Sequence, residues 1–305
     1  MKNLFLTDVY IPKGYEFLLD AEMPHAAVIY PVVGLVMVLI VAIIMAVMVA
    51  KKHKMEILPI FAGATIYMFF GYFVVGIVSM FIPVGNIAVY IAVVSLLTAF
   101  VPFMGRLFFI KMFAKKHNNL ASHLGYGIGF MGMRALMNLL MFVYPILYYS
   151  QINQNGIAAY FPADAEEDVA LEMAQTLEQI LKTNYSHYIL LALITVALIV
   201  YGLAVSMPIY AAFTGRKSKS WYGFALGMGV VVAVAEVLYT NEVLVVPAII
   251  LALVTSGVTA FFAIKLYIEL ADNEPEETKD DNDEAGSITK NAHTKIPKFS
   301  NLDKL

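Results

Sequence analysis

Long apolar stretches alternate with short polar ones along this chain. Seven of them run from Ala26 to Ala50, Ile57 to Ile82, Ile87 to Phe109, Leu124 to Tyr149, Tyr188 to Phe213, Trp221 to Tyr239 and Val243 to Ile268. A helix rising about 1.5 Å per residue needs about 20 apolar residues to cross about 30 Å of hydrocarbon. Each stretch meets that length. Apolar side chains occupy every face rather than one stripe, as lipid on all sides requires. The pattern predicts an all-α fold, a polytopic membrane bundle with seven transmembrane helices.

The polar intervals divide the rest. Residues 1–25 lack the continuous apolar run and small-residue cleavage site of a signal peptide. They read as an extracytoplasmic N-terminal segment resting on the interface through Phe5, Tyr10, Tyr15 and Phe17. Residues 150–187 form a long acidic loop. Within it, "DAEEDVALEMAQTLEQILKT" opens on acids, which suit a helix N-terminus, and carries Val169, Leu171, Met173, Leu177, Ile180 and Leu181 on a loosely apolar side. Two roles fit this predicted helix, a lid or partner-binding element and a connector on the membrane surface. Residues 271–305 are charge-rich with nothing to bury, and read as a disordered cytoplasmic tail.

Lysine and arginine orient the bundle. Lys51 to Lys54 fill the first loop, Lys111, Lys115 and Lys116 follow the third span, and Arg216, Lys217 and Lys219 follow the fifth. The intervening loops hold almost no basic residues; the acidic loop sets Lys182 against Asp164, Glu166, Glu167, Asp168, Glu172 and Glu178. The positive-inside rule places the basic loops in the cytoplasm, the N-terminus outside and the C-terminus inside. Composition agrees with the span count: 60% of the 305 residues are hydrophobic and 14% charged, against about 25% charged in soluble domains.

Much chemistry is excluded. With no cysteine, disulfides, thiolate catalysis and cysteine metal sites are impossible. The six histidines, His25, His53, His117, His123, His187 and His293, all fall outside span interiors, at edges or in loops. No span pairs histidines or glutamates at metal-ligand spacing, so no metal site is expected. There is no P-loop, and the glycines of "GYGIG" follow no strand, so neither a nucleotide nor any other cofactor is expected. Nothing points to nucleic acid. Met104, Met131, Met133, Met137 and Met228 read as adaptable packing.

What remains is charge at depth. Arg134 lies about ten residues, or about 15 Å, into the fourth span, and Glu236 about fifteen residues, or about 22 Å, into the sixth, both counted from the basic end. An ionisable group at such depth costs about 2.5–3.5 kcal/mol on insertion scales, so it faces the bundle interior with a partner. Arg134 and Glu236 are therefore expected to share one interior, within reach of a direct pair. The competing arrangement binds Arg134 to backbone carbonyls and lets Glu236 snorkel outward. Asn138, one turn beyond Arg134, extends the polar strip, and Arg106 in the third span is a further anchor. Glycines four apart, Gly125 and Gly129 in the fourth span and Gly223 and Gly227 in the sixth, predict that these two spans touch.

The order of features resembles the YhfC family of bacterial membrane proteins, relatives of PrsW and of intramembrane peptidases of glutamic or metal-dependent type. The resemblance runs through "ILPIFAGATIYMFFGYF" and "AFVPFMGRLFFIKMFAKKHNNLASHLGYGIGFMGMRALMN". That family's third span carries Glu-Glu-x-x-Arg; the matching positions are Pro102, Phe103 and Arg106. Its fourth span carries Gly-x-Gly-His-Gly-Gly-x-Glu. Here Gly127, Gly129 and Gly132 match, the histidine position is Phe130, the next glycine is Met131 and the glutamate position is Arg134. The family's late histidine falls near Met228 or Gly229. The resemblance implies a peptidase fold in a bacterial cytoplasmic membrane. The residues present imply a non-catalytic relative that binds a hydrophobic peptide, a lipid or a membrane-protein partner, because proline, phenylalanine and arginine can neither activate water nor hold a metal. The rival readings are a peptidase whose acid has moved to Glu236, a permease component with a polar path along Arg134 and Glu236, and a structural subunit of a larger complex.

Overall fold

The computed structural model describes residues 12–20, 23–53, 55–83, 85–113, 118–156, 166–182 and 184–271. Every regular element among them is helical. Seven helices are long and apolar enough to cross a membrane: Ala26–Lys52, Ile57–Met80, Ile87–Phe113, Leu120–Gln154, His187–Phe213, Ser220–Thr240 and Val245–Leu270. The protein is a multi-pass membrane protein. The predicted tail beyond Ala271, most of the N-terminal segment and Lys115 and Lys116 lie outside the described residues.

Lipid tails give no hydrophobic drive between helices, so the bundle is held by close contact at small residues. The tightest contact joins the second and fourth spans. A Cβ at Gly129 would lie 1.8 Å from the Ile60 carbonyl oxygen, one at Gly63 would lie 2.1 Å from the Tyr126 carbonyl oxygen, and one at Gly125 would lie 3.0 Å from Pro59 Cβ. Only glycine permits this approach. The fourth span also packs against the first and fifth. Gly34 admits the Phe142 ring, whose nearest atom would sit 2.5 Å from a Cβ there, and Gly127 admits Ser206 and Leu203 of the fifth span.

The predicted glycine contact between the fourth and sixth spans is not formed. Gly223 and Gly227 are exposed and nothing lies within 4 Å of a Cβ on either; the same holds for Gly132. The sixth span packs instead through Ala225, Gly229 and Ala233, also four apart, against the third and fifth spans. Two residues along a helix turn the side chain by about 200°, so Gly223 and Gly227 face away from the bundle.

Three irregularities shape the interior. Residues Ile66–Val74 of the second span form a π-helix, a widened turn that recurs at functional sites as short bulges. The fifth span breaks at Val205, three residues before Pro208. Proline donates no N–H to the carbonyl four residues back and crowds it. Pro102 lies inside the third span, whose helix stays continuous from Ile87 to Phe113, and offers no N–H to the Thr98 carbonyl.

The two ends are tied differently. At the end carrying the basic loops, the His53 Nε2 and Tyr267 hydroxyl lie 3.0 Å apart, Arg216 donates to the Leu270 carbonyl at 3.3 Å, and Lys217 pairs with Glu269. These cations sit at the C-terminus of the last helix, where its dipole favours them. His123 lies in the first turn of the fourth span, which begins at Leu120, and is buried there. It is 1% exposed, with the rings of Tyr210 and Phe213 at 4.9 and 5.8 Å. At the far end, the acidic loop carries a helix over Glu167–Lys182. It buries Ala170, Ala174 and Leu177, with Met173 and Leu181 partly covered, in a cluster that includes Leu18 of the short N-terminal turn Glu16–Asp20. Val169 and Leu171, expected on the apolar side, are exposed, because alanine at the true helical spacing supplies the packing face. Burial raises the Tyr185 phenol beside this helix above its ordinary range.

The glycine contact makes a direct prediction. Gly129→Ala lowers stability in detergent micelles by about 1–3 kcal/mol through overpacking, whereas Gly227→Ala stays within about 0.5 kcal/mol. Equal effects in thermal unfolding of the two variants would contradict this packing.

Candidate functional site

The charged residues at depth meet in one place. Arg134 forms an ion pair with Glu236 through Nη2 and Oε1, joining the fourth and sixth spans. The Arg134 side chain is 8% exposed and that of Glu236 28%. The pair is single-point: Arg134 Nε and Glu236 Oε2 are buried and have no hydrogen-bond partner. Arg106, 4% exposed, is held from the fifth span. Its Nη2 donates to the Gly202 carbonyl at 2.9 Å and its Nη1 to Ser206 Oγ at 3.4 Å. Gly202 and Ser206 flank the break at Val205, so the irregular backbone and the arginine belong to one arrangement. Arg106, expected as a further polar anchor, thus turns into the bundle rather than toward the basic end.

Aromatic rings separate the two guanidinium groups. Arg106 Cζ lies 3.9 Å from the centre of the Phe130 ring. Phe130 meets Tyr67 edge to face at 5.2 Å, and Arg134 Cζ lies 5.6 Å from the centre of the Tyr67 ring. A cation over a ring face gains about 0.5–2 kcal/mol, more when water is excluded. Tyr67 comes from the π-helical turn of the second span. From the fifth span, the Tyr201 hydroxyl donates to the Ala225 carbonyl at 3.1 Å, packed where Gly229 leaves room.

Arg106, Phe130, Arg134, Tyr201 and Glu236 line a small cavity of about 40 Å³ between the third, fourth, fifth and sixth spans, and Tyr67 stands behind them outside its lining. Pro102, Phe103 and Arg106 contribute from the third span and Phe130 and Arg134 from the fourth. Tyr201 and Val205 come from the fifth, and Gly229, Val232 and Glu236 from the sixth. Its charged groups are two guanidinium groups and one carboxylate, and Tyr201 adds a phenol. Asn138 is half-buried and does not line the cavity. Gly125, Gly127 and Gly129 act at a distance, by setting how closely the second and fifth spans approach the fourth. Among the described residues no three His, Asp or Glu side chains gather in a metal-binding group.

Sequence reasoning missed Tyr67, Tyr201 and Ser206. Ser206 carried a signal, as a polar residue two positions before a proline inside a span. Tyr67 carried none, since the run "IYMFFGYF" offers several aromatic rings and the π-turn alone decides which faces inward.

No protein-family model, no curated protein and no solved structure matches the chain.

The ion pair can be tested by removal. Glu236→Ala leaves Arg134 buried without a counter-charge. The cost falls at the low end of the about 3–5 kcal/mol typical of breaking a buried pair, because the Glu236 side chain keeps 28% of its surface. Replacing both residues by leucine restores much of that loss. A double-mutant cycle by chemical denaturation measures both effects, and strict additivity of the two single changes would sink the interpretation.

Proposed function

We propose that this protein is a non-catalytic relative of YhfC-type intramembrane peptidases, binding the polar group of a membrane ligand where such enzymes would cut. One observation carries the reading. Pro102, Phe103, Arg106, Phe130 and Arg134 fall at the positions where the family would place its acids, arginine, first histidine and glutamate, and all five line a single cavity; of Met228 and Gly229, the two positions near the family's late histidine, Gly229 lines it as well. They are dispersed over three spans, so their convergence is not a consequence of sequence proximity. None of the replacements is a general base. Arginine stays protonated in proteins, and phenylalanine, proline and glycine have no titratable side chain. The single carboxylate, Glu236, is engaged by Arg134.

In this reading the protein lies in a bacterial cytoplasmic membrane with its basic loops inside, its N-terminus outside and its C-terminus in the cytoplasm. The ligand enters among the spans, as a lipid, a hydrophobic peptide or a segment of a partner protein. It is held through an acidic group, because the cavity carries excess positive charge.

A photoreactive amino acid at Val232 in the reconstituted protein tests this. Ultraviolet light crosslinks a membrane component to the cavity, and the yield falls when Arg106 is replaced by Gln. A labelled membrane peptide incubated with the same preparation remains intact. Proteolysis that disappears in the Glu236→Gln variant would show an active peptidase and reverse the proposal.

A further inference from the structure

The charge inventory of the cavity goes further than the presence of a ligand; it fixes the ligand's charge. We infer that the cavity binds one monovalent carboxylate against Arg106, and that Glu236 sets this valence. The inference rests on the reading of the cavity as a binding site and adds the chemical class of what it holds.

Arg134 and Glu236 neutralise each other. Arg106 has no carboxylate within salt-bridge distance among the described residues; its neighbours are the Gly202 carbonyl, the Ser206 hydroxyl and the Phe130 ring face. The site therefore carries a net charge of about one positive unit in a medium that screens it poorly. A buried cation without a counter-charge is costly in lipid, so the site favours an anion able to reach it. One negative charge brings the set to neutrality. Two would leave it negative and would set a surplus anion against Glu236, and carboxylates at one site repel.

Size selects further. The cavity is small, about 40 Å³, so it takes a compact headgroup and not a whole ligand. A carboxylate is three heavy atoms, and its planar oxygen pair matches the fork of a guanidinium. Val205, Ile209 and Val232 supply apolar wall for the carbon it is attached to. The carboxylate can arrive from water, on a small acid, or from the bilayer, on a fatty acid.

Titration calorimetry on the full-length protein in nanodiscs tests the inference with acetate, dodecanoate and sulfate. Wild-type protein binds the carboxylates and discriminates against sulfate. Glu236→Gln keeps the size of the side chain and raises the site to about two positive units. The sulfate-to-acetate affinity ratio then rises by about tenfold or more, and size cancels because the same two anions are compared in both proteins. An unchanged ratio overturns the role of Glu236 while leaving a binding site in place. Should Glu236→Gln fail to fold, Arg106→Gln stands in: it leaves the ion pair intact and loses acetate binding by about tenfold, and unchanged acetate affinity overturns the inference. Absence of binding of all three anions to wild-type protein overturns the binding-site reading itself. Dodecanoate binding far more tightly than acetate assigns the site to bilayer carboxylates, and equal affinities assign it to soluble ones; both outcomes support the carboxylate.

Discussion

Placing a guanidinium in the interior of a lipid-solvated bundle requires a partner, and the ion pair between Arg134 and Glu236 meets that requirement by joining the fourth span to the sixth. Arg106 meets it another way, by reaching from the third span to a carbonyl and a hydroxyl of the fifth. The two arginines thus connect four spans around one cavity. The irregular backbone follows from the same need. A regular helix uses its own carbonyls, so a carbonyl acceptor for Arg106 comes where the fifth span is broken above Pro208.

Beneath this polar linkage lies a steric one. The contact at Gly63, Gly125 and Gly129 brings the second and fourth spans to backbone distance. That closeness carries Tyr67 to the face of Arg134 and to the edge of Phe130. Were the second span farther away, Arg134 would lose its aromatic neighbour and its single-point contact with Glu236 would have to hold it alone. The glycines therefore contribute to the site without touching it.

The number of spans was legible in the sequence because lipid imposes an all-round apolar composition that few other environments require. Arg134 and Glu236 were legible for the complementary reason: charge at matched depth has few places to go. Which face of each helix turns inward was not legible. A helix that is apolar everywhere carries no stripe to orient it, and "GFALGMGVVVAVAE" offers small residues on two faces. The exposed Gly223 and Gly227 and the buried Ala225, Gly229 and Ala233 are equivalent until the third and fifth spans are in place. The same ambiguity concealed Tyr67, whose direction depends on a widened helical turn that no local periodicity encodes. On the helix Glu167–Lys182, where polar residues restore a stripe, the error was smaller: alanines at the correct spacing outweighed bulkier residues at the wrong one.

The cavity's chemistry follows from which protons its groups can exchange. Hydrolysis needs a group that takes a proton from water and returns it to a leaving group. Two guanidinium groups cannot do this at any physiological pH, since neither gives up its charge. The carboxylate that could do so is bonded to one of them, and freeing it would leave Arg134 without its counter-charge. The arrangement that stabilises the folded bundle therefore occupies the one carboxylate that lines the cavity. What it leaves available is the opposite property, a cation in a poorly screening medium with no carboxylate of its own, and the proposed binding rests on that property.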